Sequence, residues 1–268
     1  MLRCLLWVFL VGVLCSAAPH HTTAFLGAPG QVEIVPSVSY YSAHSFWNSK
    51  GRRLPAYENF RKENAQLYLE YAVNQHNSLW VQGKYERVHE ALNHEGQAFG
   101  DPELGWKHQF YLCRDTALTG QITAILPYNR QKPSIRYGCA GAEATIIYSS
   151  LFNFWYSSGW YDLSAGYRYY FGSPSDIIRG EAAIGYLLLP NLVILAEGKL
   201  DYGMNAKRKS FKDNYLAYNR GYRLAQGQAE LRWEVFSQSW IILGIFQNIW
   251  GRNVGTGGGG YGGAWITF

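Results

Sequence analysis

The sequence predicts an all-β fold, a transmembrane antiparallel up-and-down β-barrel of about twelve strands. Three observations predict it. Apolar and polar residues alternate with period two along most of the chain, the mark of strands with two unlike faces. The alternating segments run to about twelve residues, longer than soluble strands and matched to a tilted membrane crossing of roughly 9–11 residues. The connections between them alternate between short and long, as they do in barrels with short inner turns and long outer loops.

The strands are expected at about 31–47, 63–74, 77–88, 102–115, 116–127, 135–149, 157–171, 176–188, 191–204, 222–236, 238–250 and 256–268. Four of them show the alternation plainly. In 64–74, Leu67, Leu69, Tyr71 and Val73 oppose Gln66, Tyr68 and Glu70. In 159–171, Tyr161, Leu163, Ala165, Tyr167 and Tyr169 oppose Asp162, Ser164 and Arg168. In 191–202, Leu192, Ile194, Ala196, Gly198, Leu200 and Tyr202 oppose Glu197, Lys199 and Asp201. In 225–235, Ala225, Gly227, Ala229, Leu231, Trp233 and Val235 oppose Gln226, Gln228, Glu230, Arg232 and Glu234. The apolar run 182–196 is too short for a membrane helix and is cut by Pro190-Asn191, a turn signal, so it reads as two strands and a tight hairpin. A secreted soluble sandwich would need polar outer faces; the Leu192 to Leu200 face has none.

Short connections fall at 75–76, 115–116, 189–190 and 237, long ones at 48–62, 89–101 and 203–221. Starting the first strand in the periplasm places every short turn there. The aromatic stretch 150–156 is the exception, a long inner turn expected in the interfacial aromatic belt. Lipid offers no hydrogen-bond partner to an open sheet edge, so the last strand must pair with the first. The chain therefore ends flush on Phe268, with Ile266, Ala264 and Gly262 toward lipid and Trp265 and Tyr261 inward. Six glycines within 257–263 let that strand bend where the barrel closes.

Composition agrees with this architecture. Aromatic residues make up 16% of the 268 residues and charged residues only 16%, against roughly 25% charged in an ordinary soluble domain. The mean hydropathy of −0.19 excludes a bundle of membrane helices. A net charge of +5 is modest at this length, and neither a basic helix nor an RNA-binding signature accompanies it, so no nucleic acid partner is expected. At the N-terminus, Arg3, the apolar run 5–14 and Cys15-Ser16-Ala17 read as a signal peptide cut before Ala18. Leu14 is too bulky for a lipoprotein site at Cys15. The chain thus divides into a signal peptide (1–17), an N-terminal periplasmic segment (18–30) and an outer-membrane barrel (31–268).

A terminal Phe after alternating apolar residues resembles the C-terminal assembly signal of bacterial outer-membrane proteins. The stretches FRKENAQLYLEYAV (60–73), DPELGWKHQFYL (101–112), AGYRYYF (165–171) and IFQNIWGRN (245–253), in that order and with Phe268, resemble the XagA-like outer-membrane barrel family. The broader likeness is to barrels tied to uptake of aromatic compounds. The resemblance implies a location in the cell outer membrane and a link to exopolysaccharide or biofilm formation, with polysaccharide as a possible partner. It implies recognition of the last strand, ending at Phe268, by the barrel-assembly machinery. It carries no catalytic residues over.

Alternation assigns an inward set. The carboxylates are Glu70, Glu86, Glu103, Glu143, Asp162, Glu181, Glu197, Asp201, Glu230 and Glu234; the cations are Lys84, Lys107, Arg168, Arg179, Lys199 and Arg232. Two readings stand side by side: a polar channel, or a lumen filled by its own paired charges. Tyr68, Trp80 and Tyr111 are expected to narrow the bore. Loop 203–221 carries Lys207, Arg208, Lys209 and Lys212, and loop 48–62 carries Lys50, Arg52, Arg53, Arg61 and Lys62. Both face the exterior, where outer-membrane lipid and lipopolysaccharide phosphates, or an acidic glycan, are the expected contacts.

Catalysis is not expected. His44 and Ser45 are adjacent on a strand, point to opposite faces and cannot form a nucleophile and base pair. The histidines and cysteines show no metal-ligand spacing, and the glycine run lacks the Lys-Ser/Thr and helix of a phosphate loop, so neither metal nor cofactor is expected. Cys113 and Cys139 fall on inward parity but a whole strand apart, too far for a disulfide, so two free thiols are expected.

Overall fold

The computed structural model describes residues 23–90, 94–128, 139–155, 157–172, 175–204 and 221–268. They form one closed antiparallel sheet with no helix among the described residues. Its strands are β1 (Val32–Trp47), β2 (Arg53–Asn74), β3 (Asn77–Glu90), β4 (His94–Phe99), β5 (Glu103–Cys113), β6 (Thr116–Ile125), β7 (Gly141–Phe154), β8 (Ser157–Tyr170), β9 (Ile177–Leu189), β10 (Leu192–Gly203), β11 (Arg223–Phe236), β12 (Ser239–Arg252), β13 (Val254–Gly255) and β14 (Gly258–Thr267). Neighbours in sequence are neighbours in the wall, and β1 closes the circle by pairing with both β2 and β14. Both β4 and β5 pair with β3, so they are two halves of one wall strand broken at 100–102. β13 is a short addition to the outer end of β1. Twelve wall strands remain.

The inner turns are uniform. Four of them span two residues, 75–76, 114–115, 190–191 and 237–238, and across the fifth Phe154 pairs with Ser157. Arg114, Trp155 and Gln238 take φ of 47°, 55° and 65° there, the left-handed backbone that two-residue hairpins require.

Three expected boundaries move. The long loop at 48–62 is mostly strand: β2 begins at Arg53 and pairs with β1 as far out as Trp47, leaving only 48–52 as a turn. The long loop at 89–101 is a continuation of β3 that returns as β4. The expected strand 135–149 is displaced to Gly141–Phe154, and the aromatic stretch after 149 is strand rather than a long turn. Phe154 pairs with Ser157, so aromatic residues that break alternation in sequence keep it in register. The expected signal peptide, 1–17, lies outside the described residues.

Outward positions carry the apolar surface. Leu67 (45%), Ile194 (39%) and Trp233 (55%) are exposed around the outside, the faces that would meet hydrocarbon. A bulge at Phe110 corrects two expectations. Because Gln109 pairs with Thr119 but Tyr111 with Leu118, parity flips within β5, and Tyr111 and Cys113 face outward instead of into the lumen. Cys113 and Cys139 are not joined by a disulfide.

Inside, flat aromatic rings lie on glycines of the adjacent strand. Trp80 opposes Gly105, Trp160 opposes Gly185, and Tyr261 opposes Gly244, and in each pair a Cβ on the glycine would strike the ring. The missing side chain gives a large ring room to lie against the wall.

Candidate functional site: the lumen

The lumen has two storeys. A cavity of about 510 Å³ runs from the outer part of the bore to Gln31 and Ala72 at its inner end, and its lining includes six carboxylates (Glu33, Glu70, Glu103, Glu143, Glu181, Glu230) and five cations (Lys84, Lys107, Arg168, Arg179, Lys199). On one side the charges form a belt across β5 and β7 to β10. Arg168 donates through Nη1 and Nη2 to the two oxygens of Glu103 at 3.0 and 3.1 Å, a bidentate clamp, and through Nε to Glu143. Arg179 donates to Glu143 at 3.3 Å and to Asp201 at 3.1 Å. Lys199 pairs with Glu197 at 2.9 Å. Around Glu70 a second knot forms: Lys107 donates to it at 2.7 Å, Ser78 at 2.5 Å, and Tyr68 through its hydroxyl. Glu86 accepts from Lys62 at 3.0 Å and lies 3.4 Å from Lys84. The facing wall is uncharged: Ser37, Ser39, Asn64, Gln66, Gln226 and Gln228.

Beside its inner half lies an apolar floor. Val35, Trp160, Val193, Leu195, Trp240, Ile242 and Trp265 form one buried cluster. Trp240 and Trp265 stack at 6.2 Å. Within the floor sits one ion pair. Arg232 is fully buried, donates through Nε to Glu230, and lies 5.9 Å from the ring centre of Trp160. Tyr261 donates to Glu230 at 2.6 Å. A buried charge needs such a partner, because an unpaired one costs several kcal/mol.

Residues 23–27, the described start of the expected periplasmic segment, tuck into the same end. Ala24 and Phe25 are buried on Ala117 and Ile147. The Ala24 N–H donates to Ser149 Oγ at 2.7 Å, and the Ala24 carbonyl accepts from Gln109 Nε2 at 2.8 Å and Thr119 Oγ1 at 2.6 Å. Ser149 in turn donates to Asp162. The segment is pinned by side chains and joins no sheet.

The structure thus gathers Glu70, Lys84, Glu86, Lys107, Glu143, Arg168, Arg179, Glu181, Glu197, Lys199 and Asp201 around the cavity. It puts Glu230 and Arg232 in the floor, Asp162 under the N-terminal segment, and Glu234 at the inner rim, where it accepts from the Gln238 N–H at 3.3 Å. Lys207, Arg208, Lys209 and Lys212 lie outside the described residues. Sequence reasoning missed Glu33, the glutamine wall and the floor tryptophans Trp160 and Trp240. The parity that placed Asp162 inward also places Trp160.

No family model matches the chain, and no curated protein sequence matches it. Solved structures do. The crystal structure of the COG4313 outer membrane channel from Pseudomonas putida F1 superimposes with a TM-score of 0.73 at 12% identity, over 94% of this chain and 100% of that one. The NanC porin in its rhombohedral crystal form gives 0.54 at 6% identity, over 88% of this chain and 98% of that one. Likeness at such identities is a likeness of fold. The chain has the fold of an outer-membrane β-barrel, and its apolar outside fits that membrane.

Proposed function

We propose that the protein is a narrow outer-membrane channel for small polar solutes. One observation carries the proposal: a charged cavity of about 510 Å³ extends along the bore to its inner end, beside an apolar cluster that fills the rest of the inner half. The cavity presents both signs of charge and a row of amides, a lining that suits a polar or zwitterionic solute rather than a greasy one. Passage requires residues 23–27 to leave the floor. Planar-bilayer conductance tests this. Wild type gives small, intermittent openings, and deletion of residues 23–29 gives larger and longer ones. If neither protein ever conducts, the barrel is a structural or adhesive element with a filled lumen, the reading that the buried floor favours.

The link to exopolysaccharide or biofilm formation rests on the family resemblance alone, and a deletion strain that keeps its full surface polysaccharide would remove it. The barrel is also read as non-enzymatic. In support, Ser45 is buried and held by Arg53 Nε at 2.8 Å and Thr256 at 2.5 Å, while His44 points outward to Asn59.

A further inference from the structure

The outside of the barrel carries a basic site that the channel reading does not use. At the outer ends of β11 and β12, Arg223 and Arg252 are directly opposed cross-strand partners. Arg223 also opposes Tyr202 of β10, its guanidinium 4.0 Å from the centre of that ring, and Tyr202 is an outward, exposed residue. The two arginines therefore share the lipid side of the wall. Like charges placed directly opposite destabilise a sheet pair unless something neutralises them. Neither is in an ion pair among the described residues, and the Nε of each is shielded without a hydrogen-bond partner. The turn at 48–52, which brings Lys50 and Arg52, leans on the same spot. Asn253 N–H reaches the Asn48 carbonyl at 3.4 Å, and Gly51, with φ of 74°, stands against the Arg252 side chain. Four cations thus crowd one sector of the rim.

Height decides what they meet. Trp233 lies on the same face, ten residues along β11 toward the inner end. At about 3.4 Å per residue and a tilt near 40°, that is roughly 26 Å, the height of a barrel's apolar band. With Trp233 at the inner interface, Arg223 stands at the outer headgroup level. Leu200 (53%), Ile249 (67%) and Trp250 (42%) expose apolar surface next to it, where acyl chains would lie.

We infer that Arg223 and Arg252 clamp a phosphate monoester carried by an outer-leaflet lipid. Guanidinium forks match phosphate oxygens two by two, and the flanking apolar surface favours a lipid-borne phosphate over a free one. Native mass spectrometry of the purified barrel in detergent, titrated with bis-phosphorylated lipid A, tests it. The Arg223→Gln/Arg252→Gln double variant should weaken binding by at least ~10-fold, and Arg223→Lys/Arg252→Lys, which keeps charge but loses the forks, by a smaller factor. Heat-modifiable gel mobility checks that both fold. Should the glutamine variant fail to fold, the lysine variant alone decides. Dephosphorylated lipid A should bind wild type as weakly as lipid A binds the glutamine variant. Equal lipid A binding by wild type and the folded variants overturns the site. Displacement of lipid A by millimolar inorganic phosphate overturns the lipid assignment.

Discussion

The two storeys of the lumen are built on opposite rules. In the outer one, charges are many, partly wet and redundantly paired: Arg168 holds two carboxylates, and Glu143 is held by two arginines. Removal of Arg179, for example, leaves Glu143 still held by Arg168. In the inner one, Arg232 is fully buried beside Trp160 and paired with Glu230, which borders the cavity. Chemically similar residues therefore do different work. The outer charges set what enters, and the inner pair is a structural commitment that the floor must keep satisfied.

The sharpest way to break this contrast is at the inner pair. Glu230→Ala strands Arg232 in the floor and should cost about 3–5 kcal/mol, read as a fall in the unfolding midpoint in detergent. Arg232→Met with Glu230→Leu should recover most of that loss. If the single variant is as stable as wild type, the floor is wet and the two storeys are one. Next comes the floor's packing. Gly185→Ala drives a methyl into the Trp160 ring and should cost about 1–3 kcal/mol as an overpacked core does, measured the same way. The smallest effect belongs to the outer belt. Arg179, whose side chain is 31% exposed, should cost less than about 1 kcal/mol when changed to Gln. The same variant removes one of five cations facing six carboxylates, so reversal potentials in a salt gradient should shift toward cation preference. An unchanged reversal potential would mean the belt does not face the ion path.

How much of this was legible in the sequence follows the same division. The wall was readable because period-two alternation and paired turn residues are local signals, as in β10, β11 and the hairpin at 190–191. The charged outer storey was readable too, since a charge on a barrel strand has only one tolerable direction. The floor was not. β12, SWIILGIFQNIWGR, is apolar on both faces for much of its length, so alternation could not separate inward Trp240 and Ile242 from outward Ile241 and Leu243. Tyr111 and Cys113 were misplaced because one bulged residue reverses every later direction in the strand. The N-terminal segment enters the bore through side-chain hydrogen bonds to Ser149, Gln109 and Thr119, partners more than eighty residues away that leave no local mark.

The glycines in and just before β14 have a consequence for mutational tolerance. A Cβ at Gly257 would strike the Ser42 carbonyl, at Gly259 the Tyr40 carbonyl, and at Gly263 would come within 2.7 Å of the Pro36 carbonyl. Over these residues the last strand is fastened to the first by main-chain atoms with almost nothing else between them. Elsewhere in the cylinder one apolar residue can replace another. At these three positions alanine itself is too large, and so small a substitution would pry the circle open.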